Sequence, residues 1–314
     1  MTAVLFILMS SERNASLVAL SLTCTLNLVG RFQWGMRQLV EAENIAVSAE
    51  LIYDYMQLPP EEDNGGDKGI VQTSSEWTKH GNIEFRNYTL RYRSELQPVL
   101  NNLDLFIKSN EKIGIVGRTG AGKSSLFQAL FRFVDRSSVN GEILIDDIDI
   151  SCIPLGHLRS RLSIIPQMPI LFSGTLRYNL DPFQTYSDEE CFAALEAVQL
   201  KHRISNHPDG LYLSVTESGG NFSAGECQLI CVARAILKQS KILLIDEATA
   251  NVDQETDALI QTVITKKFHD RTILTIANRL NTVTLSDRIL VLKKDMLLIS
   301  MSLKTFYNNY NKND

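Results

Sequence analysis

The residues Gly117-Arg118-Thr119-Gly120-Ala121-Gly122-Lys123-Ser124-Ser125 fit the pattern G-x-x-x-x-G-K-[ST]. Glycines in such a run let the backbone turn tightly and approach a bound group closely, because no Cβ stands in the way. Backbone N–H groups then converge on one point, and a helix starting at the lysine adds the positive end of its dipole. The group that suits this cradle is a phosphate. Lys123 is placed to reach the β- and γ-phosphates of a nucleotide, and the Ser124 hydroxyl to take a position on Mg²⁺. About 130 residues later, Asp246 and Glu247 close the apolar run Ile242-Leu243-Leu244-Ile245. An aspartate at such a strand end can hold the water shell of Mg²⁺, and the glutamate after it can polarise an attacking water. A third group, Asn221-Phe222-Ser223-Ala224-Gly225-Glu226, opens a helical stretch with a serine and a glycine. By itself it reads as a cap and a tight turn.

Strands and helices in alternation must position these groups. Lys112-Ile113-Gly114-Ile115-Val116 reads as a buried parallel strand, and Ser124 to Phe133 as the helix after it. The run Ile242–Ile245 is continuously apolar, as expected of a strand covered on both faces. Its carboxyl end is where open α/β sheets place their ligands. Ile83–Phe85 and Thr89–Tyr92 alternate like antiparallel edge strands, and Glu142 to Ile150 like a strand pair. Ser163–Ile165 leads as a strand into Pro166-Gln167. Residues 173–237 read as a mainly helical insert, with Ser187-Asp188-Glu189-Glu190 as a helix start. Thr256 to Phe268 is a helix, and 272–277 and 288–292 are strands. The fold expected is α/β: a P-loop NTPase core with an antiparallel β subdomain and a helical insert, the folded domain covering 81–300. A frayed tail follows over 301–314.

Ahead of this domain, residues 15–34 are apolar with scattered Ser, Thr and Asn, and Arg31 and Arg37 flank the C-terminal end. These features predict a membrane helix whose Arg37 end is cytoplasmic, with Trp34 as an interfacial anchor. Ile45, Ala49, Ile52 and Met56 carry one helical stripe onward until Pro59-Pro60 stops it. The first region thus spans 1–58. An acidic, glycine-rich linker covers 59–80.

A net charge of −5 argues against a dedicated nucleic-acid binder, which would be basic. The five cysteines, Cys24, Cys152, Cys191, Cys227 and Cys231, form no C-x-x-C pair, which suits a reducing compartment.

Taken together, residues 81–292 resemble an ABC-transporter nucleotide-binding domain, most of all the second such domain of the short multidrug-resistance-associated proteins of the C subfamily. The resemblance rests on residues 113–125, on Ser-Ile-Ile-Pro-Gln (163–167), on Leu-Phe-Ser-Gly-Thr-Leu-Arg-Tyr-Asn-Leu-Asp-Pro-Phe (171–183) and on Asp-Glu-Ala-Thr-Ala-Asn-Val-Asp (246–253). Residues 15–55 resemble that family's last transmembrane helix and its cytoplasmic extension. The resemblance implies roles for several residues. Tyr92 resembles the aromatic that stacks on adenine, although a core strand tyrosine would look the same in sequence. Gln167 resembles the glutamine that touches Mg²⁺ and senses the membrane domain. Ser223, Ala224, Gly225 and Glu226 resemble the signature, which sends a serine and a helix dipole onto the γ-phosphate held by a facing domain. Asp253 resembles the aspartate that couples two ATP sites.

The sequence departs from the family pattern at the signature, where Phe222 replaces Leu, Glu226 replaces Gln and Cys227 follows. Glu226 adds negative charge near phosphates. The switch histidine is replaced by Asn278, and the strand and helix expected after Leu292 are short or scrambled. What the resemblance implies is an ATP- and Mg²⁺-dependent exporter module, partnered by another nucleotide-binding domain, by transmembrane domains and by membrane lipid, in the plasma membrane. Glu247 favours hydrolysis. Asn278 and Glu226 favour the alternative of a nucleotide-binding but hydrolysis-impaired regulatory or vestigial fragment. A soluble, non-transporting relative would need 15–55 to be a soluble helix.

Overall fold

The structure, a computed structural model, describes residues 15–58, 61, 69, 71, 73–74, 77–93, 95–250, 252–277, 283–293 and 296–302. The chain divides into two compact units, Met1–Glu61 and Glu62–Asp314.

In the first unit the described residues form one helix, α1 (Ala15–Met56), which runs for 42 residues and stops short of Pro59-Pro60, as expected. Leu20, Leu26, Leu28, Phe32 and Trp34 are exposed along it. Among the described residues, no helix is long and apolar enough to cross a membrane. The span expected over 15–34 therefore does not stand on this helix's own hydropathy. Its length is ample, but Ser21, Thr23, Thr25, Asn27 and Arg31 dilute the apolar run. Three of these residues turn their hydroxyls back onto the helix. Ser21 donates to the Val18 carbonyl at 2.9 Å, Thr23 to Ala19 at 2.9 Å and Thr25 to Ser21 at 2.7 Å.

The second unit begins with β1 (Ile83–Leu90), β2 (Leu100–Ile107), β3 (Lys112–Gly117), α2 (Lys123–Leu130), β4 (Val139–Ile145), β5 (Ile148–Asp149), α3 (Leu155–Arg161) and β6 (Leu162–Ile165). The expected helical insert follows as α4 (Leu176–Leu180), α5 (Asp188–Ala197), α6 (Lys201–Ser205) and α7 (Ala224–Lys238), with one short pair, β7 (Gly174–Thr175) and β8 (Ser214–Val215). The last elements are β9 (Ile242–Asp246), α8 (Gln254–Lys267), β10 (Thr272–Ile276), β11 (Arg288–Lys293) and β12 (Met296–Ser302). Helix α5 starts where its sequence says. Ser187 and Glu190 close a capping box, and three acids in the first turn suit the helix dipole.

Two sheets result. One is antiparallel, in the order β2-β1-β4-β5. The other runs β12-β11-β3-β10-β9-β6, and its five strands from β11 to β6 are parallel. Strand β9 shows why its sequence is apolar without alternation. Ile242 and Leu244 face one buried cluster, with Phe85, Ile115 and Leu126. Leu243 and Ile245 face another, with Leu195, Ile230 and Phe268. Each such side chain contributes about 2 kcal/mol on burial, so neither face tolerates a polar residue. Beyond Asp295, where the sequence shows no clear period, β12 pairs antiparallel with β11. Its pairing is between backbones, which no side-chain pattern has to announce.

The parallel order brings distant loops together. Strands β6, β9, β10 and β3 all end at one sheet edge. Gln167, Asp246 with Glu247, Ala277 and the glycine loop must therefore emerge side by side.

Candidate active site

The glycine loop leaves β3 at Gly117. A Cβ there would meet the Leu292 carbonyl oxygen at 2.6 Å, so the close approach of β11 excludes any side chain. Gly122 caps α2 with φ +90°, in the left-handed region that glycine enters at least cost. Arg118, Thr119 and Gly120 form the exposed loop tip, while Ala121 packs into the core. Ser124 is exposed at the start of α2, and Ser125 is buried. Lys123 is nearly buried and donates from Nζ across the loop to the Gly117 carbonyl at 2.7 Å.

Tyr92 lies beyond the end of β1 and is 45% exposed, so it is not a core tyrosine. Its hydroxyl donates to Gln128 Oε1 at 2.7 Å and lies 2.8 Å from Ser125 Oγ. Both partners are on α2. The ring is thereby tied by its hydroxyl to the helix that the glycine loop begins, while the residue stays about half exposed.

At the end of β9 the two acids diverge. Burial raises the Asp246 pKa above the ordinary carboxylate value, the adjacent Glu247 raises it further, and Lys123 opposes both. Glu247 has φ +44°, an uncommon conformation for a residue with a Cβ. Its amide donates to the Ile276 carbonyl of β10 at 3.0 Å, which holds the turn in place. Gln167 Nε2 donates to Glu247 Oε2 at 3.1 Å, across 80 positions of sequence. The ends of β6 and β9 are thus joined by a direct side-chain contact. Asn278 lies outside the described residues.

The signature stretch forms the start of α7. Ser223 is the N-cap, with Oγ accepting from Glu226 N at 3.2 Å and Glu226 Oε2 accepting from Ser223 N at 2.8 Å. Ser223 and Ala224 are exposed. Gly225 sits against the start of α8, where a Cβ would meet Thr256 Oγ1 at 3.1 Å and Asp253 Oδ1 at 3.5 Å. Asp253 caps α8, accepting from Thr256 N at 3.0 Å and Thr256 Oγ1 at 2.9 Å. Those bonds, led by the Thr256 amide, lower its pKa. The signature and Asp253 are therefore adjacent helix starts.

Other residues near the site carry no motif. Gln228, 1% exposed on α7, donates from Nε2 to the Pro166 carbonyl at 3.0 Å, directly before Gln167. Its one signal in sequence is an amide within an apolar helical stripe. Arg234 donates to the Asn179 carbonyl at 2.5 Å and to Ile170 O at 2.9 Å, pinning the segment after Gln167 to α7. Arg203 on α6 pairs with Glu226 and lies over the Phe222 ring.

The donor set fits a magnesium nucleotide. The loop is open at Gly120, where a Cβ would meet nothing within 4 Å, and Lys123 reaches across it to the Gly117 carbonyl. Among the described residues, no group of three or more His, Cys, Asp or Glu could hold a metal by itself. Asp246, the Ser124 hydroxyl and the Gln167 amide are oxygen donors of the kind Mg²⁺ takes when phosphates and water complete its shell.

Comparison with known proteins agrees with this chemistry. Residues 100–250 match the family model described as ABC transporter. ATP-binding cassette sub-family C member 2 of Rattus norvegicus is 48% identical over 291 residues, 93% of this chain and 19% of that protein. The metal resistance protein YCF1 of Saccharomyces cerevisiae is 49% identical over 295 residues, again 93% of this chain and 19% of that protein. The chain spans about a fifth of the length of the curated relatives it matches. A solved bacterial Atm1-family ABC exporter with ATP bound superposes with a TM-score of 0.74 at 30% identity, over 84% of this chain and 45% of that one.

Proposed function

Because this chain belongs to the ABC transporter family, with several relatives named in sub-family C, we propose that it binds and hydrolyses ATP as the nucleotide-binding module of a membrane exporter. The observation that carries this reading is the contact between Gln167 and Glu247 at the sheet edge where the glycine loop also emerges. A structural role alone would not need an amide and a strained carboxylate meeting beside a phosphate cradle.

In this reading the triphosphate lies over residues 117–125, and Lys123 exchanges the Gly117 carbonyl for the β- and γ-phosphates. The half-exposed Tyr92 supports the adenine. Ser124, Asp246 and Gln167 would hold Mg²⁺, which would neutralise phosphate charge when bound. Glu247 accepts a hydrogen bond from the attacking water and orients it toward the γ-phosphate. Asn278 donates its amide where the family has a histidine. Positioning and electrostatics dominate phosphoryl transfer, so this replacement slows turnover more than it weakens binding.

The partners follow from the same surfaces. Ser223 and Asp253 face outward at two neighbouring helix starts, an arrangement suited to a nucleotide on a second nucleotide-binding domain docked head to tail. Met168, Ile170 and Phe172 are exposed just after Gln167, and such a patch suits docking of the exporter's membrane part. Helix α1 belongs to that membrane part, packed among other apolar segments and lipid, with the nucleotide-binding unit in the cytoplasm of a plasma-membrane exporter. Its hydroxyls, bonded within the helix, lower the cost of that setting. The cargo, organic anions or xenobiotics, is proposed on family resemblance alone.

The test is binding of a fluorescent ATP analogue to the full chain. Lys123→Ala is expected to abolish binding without changing the melting profile. Unchanged affinity would remove the central claim.

A further inference from the structure

Glu226 is the residue that sets this signature apart electrostatically. At the third position of α7 it favours the helix, because a carboxylate there complements the dipole. The same charge repels a polyphosphate approaching the helix start. A cation from a different helix meets it. The Arg203 guanidinium of α6 pairs with Glu226 Oε1, and its Cζ lies 5.2 Å from the centroid of the Phe222 ring. Phe222 and Glu226 are two of the positions where the sequence leaves the family pattern, and one arginine contacts both. Arginine suits this double task, since its planar group stacks on a ring and pairs with a carboxylate at once. The other carboxylate oxygen, Oε2, is engaged by Ser223 N. In the bond from Glu226 N, Ser223 Oγ is the acceptor, so that bond does not use the hydroxyl proton.

We propose that Arg203 is a positioning residue for the signature, which neutralises Glu226 and braces the Phe222–Glu226 turn so that Ser223 meets a nucleoside triphosphate on a facing domain without a net negative charge beside it. This rests on the reading of Ser223 given above. The Arg203 side chain is 46% exposed and that of Glu226 20%, so solvent and salt screen the pair.

The experiment follows self-association of the full chain by sedimentation in detergent, driven by Mg²⁺ with the slowly hydrolysed analogue ATPγS. A second copy supplies the facing nucleotide. Arg203→Gln is expected to raise the half-saturating nucleotide concentration about fivefold at low salt, with the shift shrinking as salt is added. Adding Glu226→Gln to that variant is expected to restore the wild-type value to within about twofold. Arg203→Lys, which keeps the charge and loses the planar fork, is expected to fall between. Ser223→Ala separates the two levels of the argument. If it leaves association unchanged, the signature reading fails and this inference with it. If it weakens association while Arg203→Gln does not, this inference alone is overturned. An Arg203→Gln defect that persists beside Glu226→Gln and ignores salt means that Arg203 only supports the fold, which also overturns it.

Discussion

Replacing Gln228 by methionine removes one hydrogen bond at a place where it has two consequences. The side chain is 1% exposed, and Nε2 donates to the Pro166 carbonyl at 3.0 Å. Methionine has similar length and no donor, so the cavity term is small and the cost is the unpaired carbonyl. A buried acceptor left without its partner costs about 1–3 kcal/mol. For a folded unit of this size, 1 kcal/mol moves Tm by about 2–4 °C. The first expectation is therefore a loss of a few degrees in the melting of the nucleotide-binding unit, followed by circular dichroism. The second concerns chemistry. The Pro166 carbonyl fixes the chain just before Gln167, which in turn donates to Glu247 Oε2. Loosening that anchor displaces the amide relative to the carboxylate, and a displacement of about 1 Å in such a site costs on the order of tenfold to a hundredfold in rate. Hydrolysis by the full chain with a partner domain, read as phosphate release, is expected to fall about tenfold at saturating ATP. Analogue binding through Lys123 is expected to hold within about twofold, since the Gln228 side-chain bond runs to Pro166 and not to the glycine loop. The reasoning is refuted if Tm falls but hydrolysis does not, because Gln228 then stabilises α7 without positioning Gln167. It is refuted equally if binding and hydrolysis fall together.

Asp246 gives a prediction with a definite sign. Burial, and then Glu247, raise its pKa in the folded state, so its contribution to stability is full below the unfolded value, about 4, and is lost as pH rises through the raised folded value. Asp246→Asn is thus expected to raise Tm at neutral pH in the absence of Mg²⁺ and to flatten its pH dependence, while Mg²⁺ no longer promotes hydrolysis. A lower Tm in that variant at neutral pH would contradict the assignment. At position 278, Asn278→His is expected to speed hydrolysis on the order of a hundredfold at similar ATP affinity, by restoring a donor that can also carry charge. Steady-state kinetics with a partner domain of intact signature decide it, and equal or slower turnover would mean that asparagine already serves here.

Several features of this site can be read without the fold because their causes are local. Residues 117–125 declare a phosphate loop, since a few adjacent φ angles and one following helix make the cradle. The caps at Ser187, Ser223 and Asp253 lie where short-range hydrogen bonds to nearby amides put them. The unbroken run Ile242–Ile245 announces a strand buried on both faces, because both faces must then be apolar. The hydropathy of residues 15–34 is also local, and scattered hydroxyls and Asn27 leave this otherwise long helix short of a membrane span on apolar content alone. Other features depend on burial between elements far apart in the chain, and burial is blind to which partner provides it. Nothing near Tyr92 tells whether it is a core strand residue or an exposed ring tied to α2. That follows from where β1 ends beside Ser125 and Gln128. The strand order β3-β10-β9-β6 sets Gln167 against Glu247, and no periodicity in either strand names its neighbour. The charge of Glu226, alarming in a list of residues, is met by Arg203 from another helix, because two helices of the insert happen to share the side of Phe222. Propensity and capping act over a few residues, whereas strand order and ion pairing are settled only when the apolar faces close on one another.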